Sequence, residues 1–371
     1  MFKRIIEITL EKRIGSGKAV IITGPRQVGK TTLIKQSLKG KTYLFLDGDD
    51  PKTRAELTNP NTEEIRSLIG THKIVFIDEA QRIENIGLTM KIITDQFKDV
   101  QLLASGSSAF ELTNKVNEPL TGRKWEYQLF PISYEELEST EGVLNAKKKL
   151  EKLLLYGMYP DVLNNPGEER EVLTNLTESY LFKDLLSYNG IRKAKVLENL
   201  LRALAFQVGN EVSYNELSRL VGVDKNTVAS YIKLLEMSYV VFSLSSFSRN
   251  LRKEIKHNHK IYFYDNGVRN AIIQNFNPLE FRNDIGALWE NFLIAERMKF
   301  NAYHLTYAKS YFWRTVDQQE IDYLEEKDGA LSAFEFKWKA HQKIKTPSAF
   351  AKAYNIQTSL IDSENYRDFV L

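Results

Sequence analysis

Apolar residues along the chain follow two rhythms. Short β-branched runs stop at small or acidic residues, and longer stretches repeat every three to four positions. "KAVIIT", Lys18–Thr23, is a buried-strand pattern, and "TTLIKQSLKG", Thr31–Gly40, has helical spacing and ends on a glycine. "KIVFIDEAQ", Lys73–Gln81, and "VQLLASGSSAF", Val100–Phe110, repeat the apolar run that ends in polar residues, and "KWEYQLF", Lys124–Phe130, alternates as a half-buried strand does. From about Lys193 the rhythm turns helical through "KVLENLLRALAFQVG", "SYNELSRLVGV" and "DKNTVASYIKLLEMS", then β-rich in "YVVFSLSSF". A further helix, "ALWENFLIAERMKF", precedes "QEIDYLEEKDGALSAFEFKWKA", whose flanks alternate around Asp328-Gly329. The pattern predicts an α/β protein.

A length of 371 residues is enough for two or three domains with substantial cores. Lys+Arg number 51 against Asp+Glu 48, a net charge of +3, so affinity for nucleic acid must come from local clusters. Cysteine is absent, which excludes disulfides, thiol nucleophiles and Cys-ligated zinc and suits a cytoplasmic setting. No uninterrupted apolar run approaches the roughly 18 residues of a membrane span, so no membrane partner is expected.

Between the first strand and the first helix lies "GPRQVGKTT", where Gly24, Gly29, Lys30 and Thr31 satisfy G-x-x-x-x-G-K-[ST]. In such a loop the glycines let backbone N–H groups approach phosphates, and Lys30 places a cation on the β/γ-phosphates. Thr31 offers a hydroxyl to magnesium, and the helix N-terminus, which includes Thr32, adds a favourable dipole. ATP with Mg2+ is the expected ligand pair. Asp78 and Glu79 end a buried strand at the edge where open α/β sheets bind ligands, with Asp78 expected on magnesium and Glu79 on the attacking water. Ser105 and Ser107 follow the next strand, in reach of a γ-phosphate, and Arg123 is a candidate for stabilising transition-state charge.

The runs "GPRQVGKTT", "VFIDEAQ", "ASGSSA" and "LTGRKWEYQLFPISYEEL" together resemble the prokaryotic AAA-type ATPases whose C-terminal half is a domain of unknown function. That resemblance implies a P-loop NTPase parallel sheet, with Ser105 or Ser107 as a γ-phosphate sensor and Arg123 as an arginine finger or sensor. Whether Arg123 serves its own ATP or that of a neighbour in a homo-oligomer stays open. "LLLYGMYPDVLNN" resembles the family's helical lid, with Tyr159-Pro160 in place of the more frequent glycine-tyrosine-proline. The expected domains are the ATPase over 1–140, the lid over 141–192, a winged helix over 193–247 and a C-terminal domain over 248–371.

The winged helix is read from element order. Ser213 with Glu216 caps the second helix, and Asp224 begins the third. Lys225, Asn226, Thr227, Ser230 and Lys233 are expected to face outward towards DNA, with the basic run "SRNLRKEIKHNHK" as a wing against phosphates. A surface that binds protein is the alternative.

With Asp328-Gly329 as a two-residue turn, Lys327 pairs with Ala330, Asp322 falls opposite Glu335, and Glu320 falls opposite Lys337. Opposed carboxylates repel, so a cation such as magnesium is expected between them. Asp322, Glu335 and Lys337 resemble the Asp-x(n)-Glu-x-Lys pattern of restriction-endonuclease-like nucleases, and Glu290 resembles the first-helix glutamate of that fold. The resemblance implies a metal held by Glu290, Asp322 and Glu335 beside Lys337. Cleavage of nucleic acid and a vestigial site that binds a protein partner both stay open.

Overall fold

The computed structural model describes residues 2–107, 119–181, 194–248, 259–315 and 317–371. The chain forms two compact units, Met1–Ile132 with Met237–Tyr239, and Ser133–Glu236 with Val240–Leu371. The expected ATPase boundary at 140 lies eight residues beyond the end of the first unit's long segment.

In the first unit five strands, β1 (Ala19–Thr23), β2 (Leu44–Asp47), β3 (Ile74–Asp78), β4 (Gln101–Gly106) and β5 (Lys124–Gln128), pair in the order β2-β3-β4-β1-β5. Every pairing is parallel. A parallel sheet is covered on both faces, which explains why all five residues of β1 are buried. Ile21, Val75, Ile77 and Leu102 pack with Ile65 and Ile69 of the helix Thr62–Ile69 and with Ile86, Met90 and Ile93 of the helix Ile86–Gln96. A capping box of Asn61 and Glu64 starts the first of these helices.

The second unit continues with β6 (Glu211–Val212), β7 (Val241–Ser246), β8 (His259–Phe263), β9 (Lys309–Arg314), β10 (Glu320–Lys327), β11 (Ala330–Phe336) and β12 (Thr358–Ile361), in the order β12-β11-β10-β9-β7-β8-β6. A parallel pairing of Ser245 with Tyr311 and Ser246 with Phe312 joins β7 to β9, so one sheet runs across the boundary expected at 247/248. The helix Ile285–Tyr303 buries Trp289, Phe292 and Leu293, and its Asn291 side chain hydrogen-bonds both backbone groups of Phe263 in β8.

The hairpin turn and its first five pairs form as counted. Lys327 pairs with Ala330 and the ladder continues to Tyr323 with Phe334, with Asp328 at φ 51° and Gly329 at φ 81° in the left-handed turn. Helices Ala194–Phe206, Tyr214–Val221 and Lys225–Met237 follow in the expected order. The Ser213 hydroxyl accepts from the Glu216 N–H, and Asp224 accepts from the N–H groups of Asn226 and Thr227. Val228, Tyr231, Ile232, Leu234 and Leu235 form the buried face of Lys225–Met237, while Lys225, Asn226, Ser230 and Lys233 are exposed and Thr227 is half-buried. Residues 249–258 of the basic run lie outside the described residues. Among the described residues no helix is long and apolar enough to cross a membrane.

Candidate nucleotide site

The carboxyl ends of β1, β3 and β4 meet at one edge of the first sheet, and the glycine-rich loop leaves from β1. Gly24 packs so closely on the neighbouring segment that a Cβ there would lie 2.0 Å from the Leu129 carbonyl oxygen, which only glycine permits. Gly29, at φ 92°, caps the helix Lys30–Ser37 and sends the first-turn N–H groups of that helix into the loop. Buried Arg4 braces the loop from behind, donating to the carbonyls of Val28 at 2.8 Å and Phe130 at 2.6 Å.

Lys30 is 5% exposed, and its ammonium folds onto the loop itself, donating to the carbonyls of Gly24 at 3.0 Å and Pro25 at 2.7 Å. These are the contacts a polyphosphate would replace. Thr31 Oγ1 donates to Asp78 Oδ2 at 2.7 Å, so the hydroxyl and carboxylate expected on magnesium are already adjacent. The donor set fits the ion, because a hydroxyl and a carboxylate at the rim of an N–H-lined loop are the oxygen ligands a hydrated magnesium takes. Thr32, exposed, occupies the same first helical turn.

Ser105 is fully buried and donates to Asp78 Oδ1, so it braces that carboxylate. Ser107, one residue beyond β4, is the serine at the open edge. Glu79 takes φ 47°, a left-handed conformation uncommon for glutamate, and starts the 3₁₀ turn Ala80–Arg82. Gly48 allows this bend, since a Cβ there would lie 2.5 Å from the Glu79 carbonyl oxygen. Gln81, 3% exposed, donates through Nε2 to Glu79 Oε2 at 2.6 Å and to Ser107 Oγ at 3.0 Å.

Arg123 lies elsewhere. Lys124 pairs with Ala19 at the amino end of β1, whereas Gln128 pairs with Thr23 beside the loop. Four strand residues separate the two levels, about 13 Å. Arg123 therefore sits at the opposite edge from its own nucleotide loop, held by Asp95 Oδ1 at 2.7 Å. The parallel register thus places Arg123 away from the edge at which its own γ-phosphate is expected.

In the second unit Glu290, Asp322, Glu335 and Lys337 come together, but in an arrangement different from the one expected. Among the described residues no three His, Asp or Glu side chains are arranged to hold one metal ion. A lysine takes that place. The Lys260 ammonium, buried, contacts Glu290 Oε1 at 3.2 Å and also pairs with Glu320. Tyr262 donates its hydroxyl to Glu290 Oε1 at 2.6 Å, Lys337 pairs with Glu335 at 2.7 Å, and Asp322 Oδ2 accepts from the Phe336 N–H at 2.8 Å. Burial, reinforced by Glu290 and Glu335, pushes the Asp322 carboxyl well above its ordinary range. Glu320, expected opposite Lys337, turns instead to Lys260 and, at 3.7 Å, to Arg314. Lys260, expected at the end of the basic run to contact phosphates as part of a wing, is instead buried in β8, because carboxylates 30 and 60 residues away in the sequence pair with it there.

An AAA-domain family model matches residues 16–138. Two domains of unknown function follow, DUF8612 over 147–279 and DUF4143 over 285–369. An uncharacterized protein of Mycobacterium tuberculosis is 26% identical over 358 residues, covering 95% of this chain and 76% of its own length. An uncharacterized protein of Haemophilus influenzae is 23% identical, covering 83% of this chain and 79% of its own. Among solved structures, the Walker-type ATPase PABY2304 of Pyrococcus abyssi superposes with a TM-score of 0.52 at 15% identity, covering 74% of this chain and 96% of that one.

Proposed function

We propose that this chain, an AAA-type P-loop protein that ends in a domain of unknown function, binds and hydrolyses ATP with magnesium. The observation that carries the proposal is the contact of Thr31 with Asp78 at the mouth of a glycine-capped helix, beside a lysine whose ammonium donates to loop carbonyls. Lys30 moves from those carbonyls to the β/γ-phosphates, and the N–H groups of Gly29 to Thr32 surround the phosphate oxygens. Thr31 and Asp78 would hold magnesium, which neutralises charge on the phosphates when bound. Glu79 orients the attacking water and takes its proton, and Ser107 contacts the terminal phosphate. Arg123, at the far edge of its own sheet, meets the γ-phosphate of a neighbouring copy. The test is titration calorimetry with ATP, with and without magnesium, alongside phosphate release. A protein that binds no nucleotide in either condition refutes the proposal.

We further propose that hydrolysis is coupled to DNA through a winged helix, with Lys225, Asn226, Thr227, Ser230 and Lys233 on its recognition face. The exposure of four of these five residues on one side of a helix whose other side is buried supports this reading. A second reading draws on a specific observation. Because Lys260 already supplies a cation among Glu290, Glu320 and Asp322, the restriction-endonuclease-like part acts without cleaving, as a module that binds DNA or protein. Manganese-dependent cleavage that is lost in Asp322→Ala and Lys337→Ala decides for the nuclease; no cleavage of single- or double-stranded DNA decides for the binding module.

A further inference from the structure

Resting on the ATPase reading above, we infer that Gln81 is a positioning residue that ties the water-activating Glu79 to the phosphate-facing Ser107. One carboxamide nitrogen carries two hydrogens, and each has a partner: Glu79 Oε2 at 2.6 Å and Ser107 Oγ at 3.0 Å. The bridge spans the carboxyl ends of two adjacent strands, β3 and β4.

Its anchor is rigid. Ala80 and Ile83, flanking Gln81, are fully buried in the first unit's core. The Arg82 N–H closes the turn on the Glu79 carbonyl at 3.0 Å, and the Arg82 side chain pairs with Asp49. The Gly48 N–H donates to the Asp78 carbonyl at 2.9 Å, fixing the peptide on the other side of Glu79. Gln81 can therefore move little, and the oxygen of Glu79 that it holds is fixed with it.

Two consequences follow from the bridge. A carboxylate held by one oxygen keeps the other aimed, which lowers the cost of orienting the base in the transition state without adding affinity for ATP. The link to Ser107 also fixes the distance between Glu79 and the hydroxyl proposed to contact the terminal phosphate. A ligand that reaches only the β-phosphate leaves that hydroxyl, and hence the bridge, unchanged.

Gln81→Leu keeps the volume of the side chain and removes its donors. The expected result is a kcat about tenfold lower or less, with ATP affinity and thermal midpoint close to wild type, because a positioning loss is bounded by the 10²- to 10⁴-fold contribution of the base itself. The decisive comparison is the double variant. If Gln81 acts through Glu79, Gln81→Leu added to Glu79→Gln slows hydrolysis no further. Additive losses, an unchanged kcat in Gln81→Leu, or a loss confined to ATP affinity would each overturn the inference. A wild-type protein that binds ATP and does not turn it over would instead remove the ATPase reading, and the inference with it.

Discussion

Lys30 shows how far one residue can be read from sequence. The G-x-x-x-x-G-K-T spacing marks it as an expected phosphate contact, and the structure adds that its ammonium donates to the Gly24 and Pro25 carbonyls. Lys30→Ala is expected to stay folded, because the hydrogen bonds to the Gly24 and Pro25 carbonyls lie in the loop and not in the sheet, and to lose ATP binding. Calorimetry on that variant checks this, and wild-type affinity would remove Lys30 from the site. Gly24 and Gly29 were legible because their backbone demands are built into the motif. Gln81 and Lys260 were not, since their meaning depends on partners brought together by strand order. Ser105 and Ser107 were legible as a pair, but only burial separates the one that braces Asp78 from the one at the open edge.

At the scale of elements, the β10–β11 hairpin could be counted residue by residue from Asp328-Gly329, because a two-residue turn fixes register locally. The parallel pairing of β7 with β9 could not, since it joins segments more than sixty residues apart. A buried ion network at the start of the long second-unit helix was likewise invisible. Asp284, which precedes Ile285–Tyr303, accepts from Arg269 at 2.6 Å and from Arg282 at 2.8 Å, and both arginines are almost fully buried. Burial alone would raise the Asp284 pKa, yet hydrogen bonds from Arg282 and Arg269 outweigh it and hold the carboxyl below its ordinary value. The stabilisation is therefore complete above the unfolded pKa of about 3.9 and is lost as pH falls through the folded one. Asp284→Asn is expected to cost about 3–5 kcal/mol at neutral pH, because it strands two buried guanidinium groups. Urea unfolding of both proteins from pH 7 to pH 3 should show the gap narrowing at the acid end. A constant gap would mean that the loss is one of packing and not of charge.

The whole molecule has to connect a nucleotide loop at one sheet edge with an arginine at the other. Because the parallel register puts Arg123 about 13 Å from the level of its own loop, the role proposed for Arg123 is one in a neighbouring copy's site. Arg123→Ala and Lys30→Ala proteins, each inactive alone, are expected to regain ATPase activity on mixing. No recovery, with both variants still self-associating, would assign Arg123 to its ion pair with Asp95 alone. DNA should raise the ATPase rate, and changing Lys225 and Lys233 together to alanine should lower the salt dependence of DNA binding by about two units of log–log slope. An unchanged slope would leave the exposed helix face to a protein partner. The central claim, that the edge of the first sheet is an ATP-hydrolysing site built around Glu79, is tested most directly by measuring ATP affinity and turnover together in Glu79→Gln. The account predicts wild-type affinity, since Lys30, Thr31 and Asp78 are intact, with turnover about 10²- to 10⁴-fold lower. Turnover at the wild-type rate would contradict it.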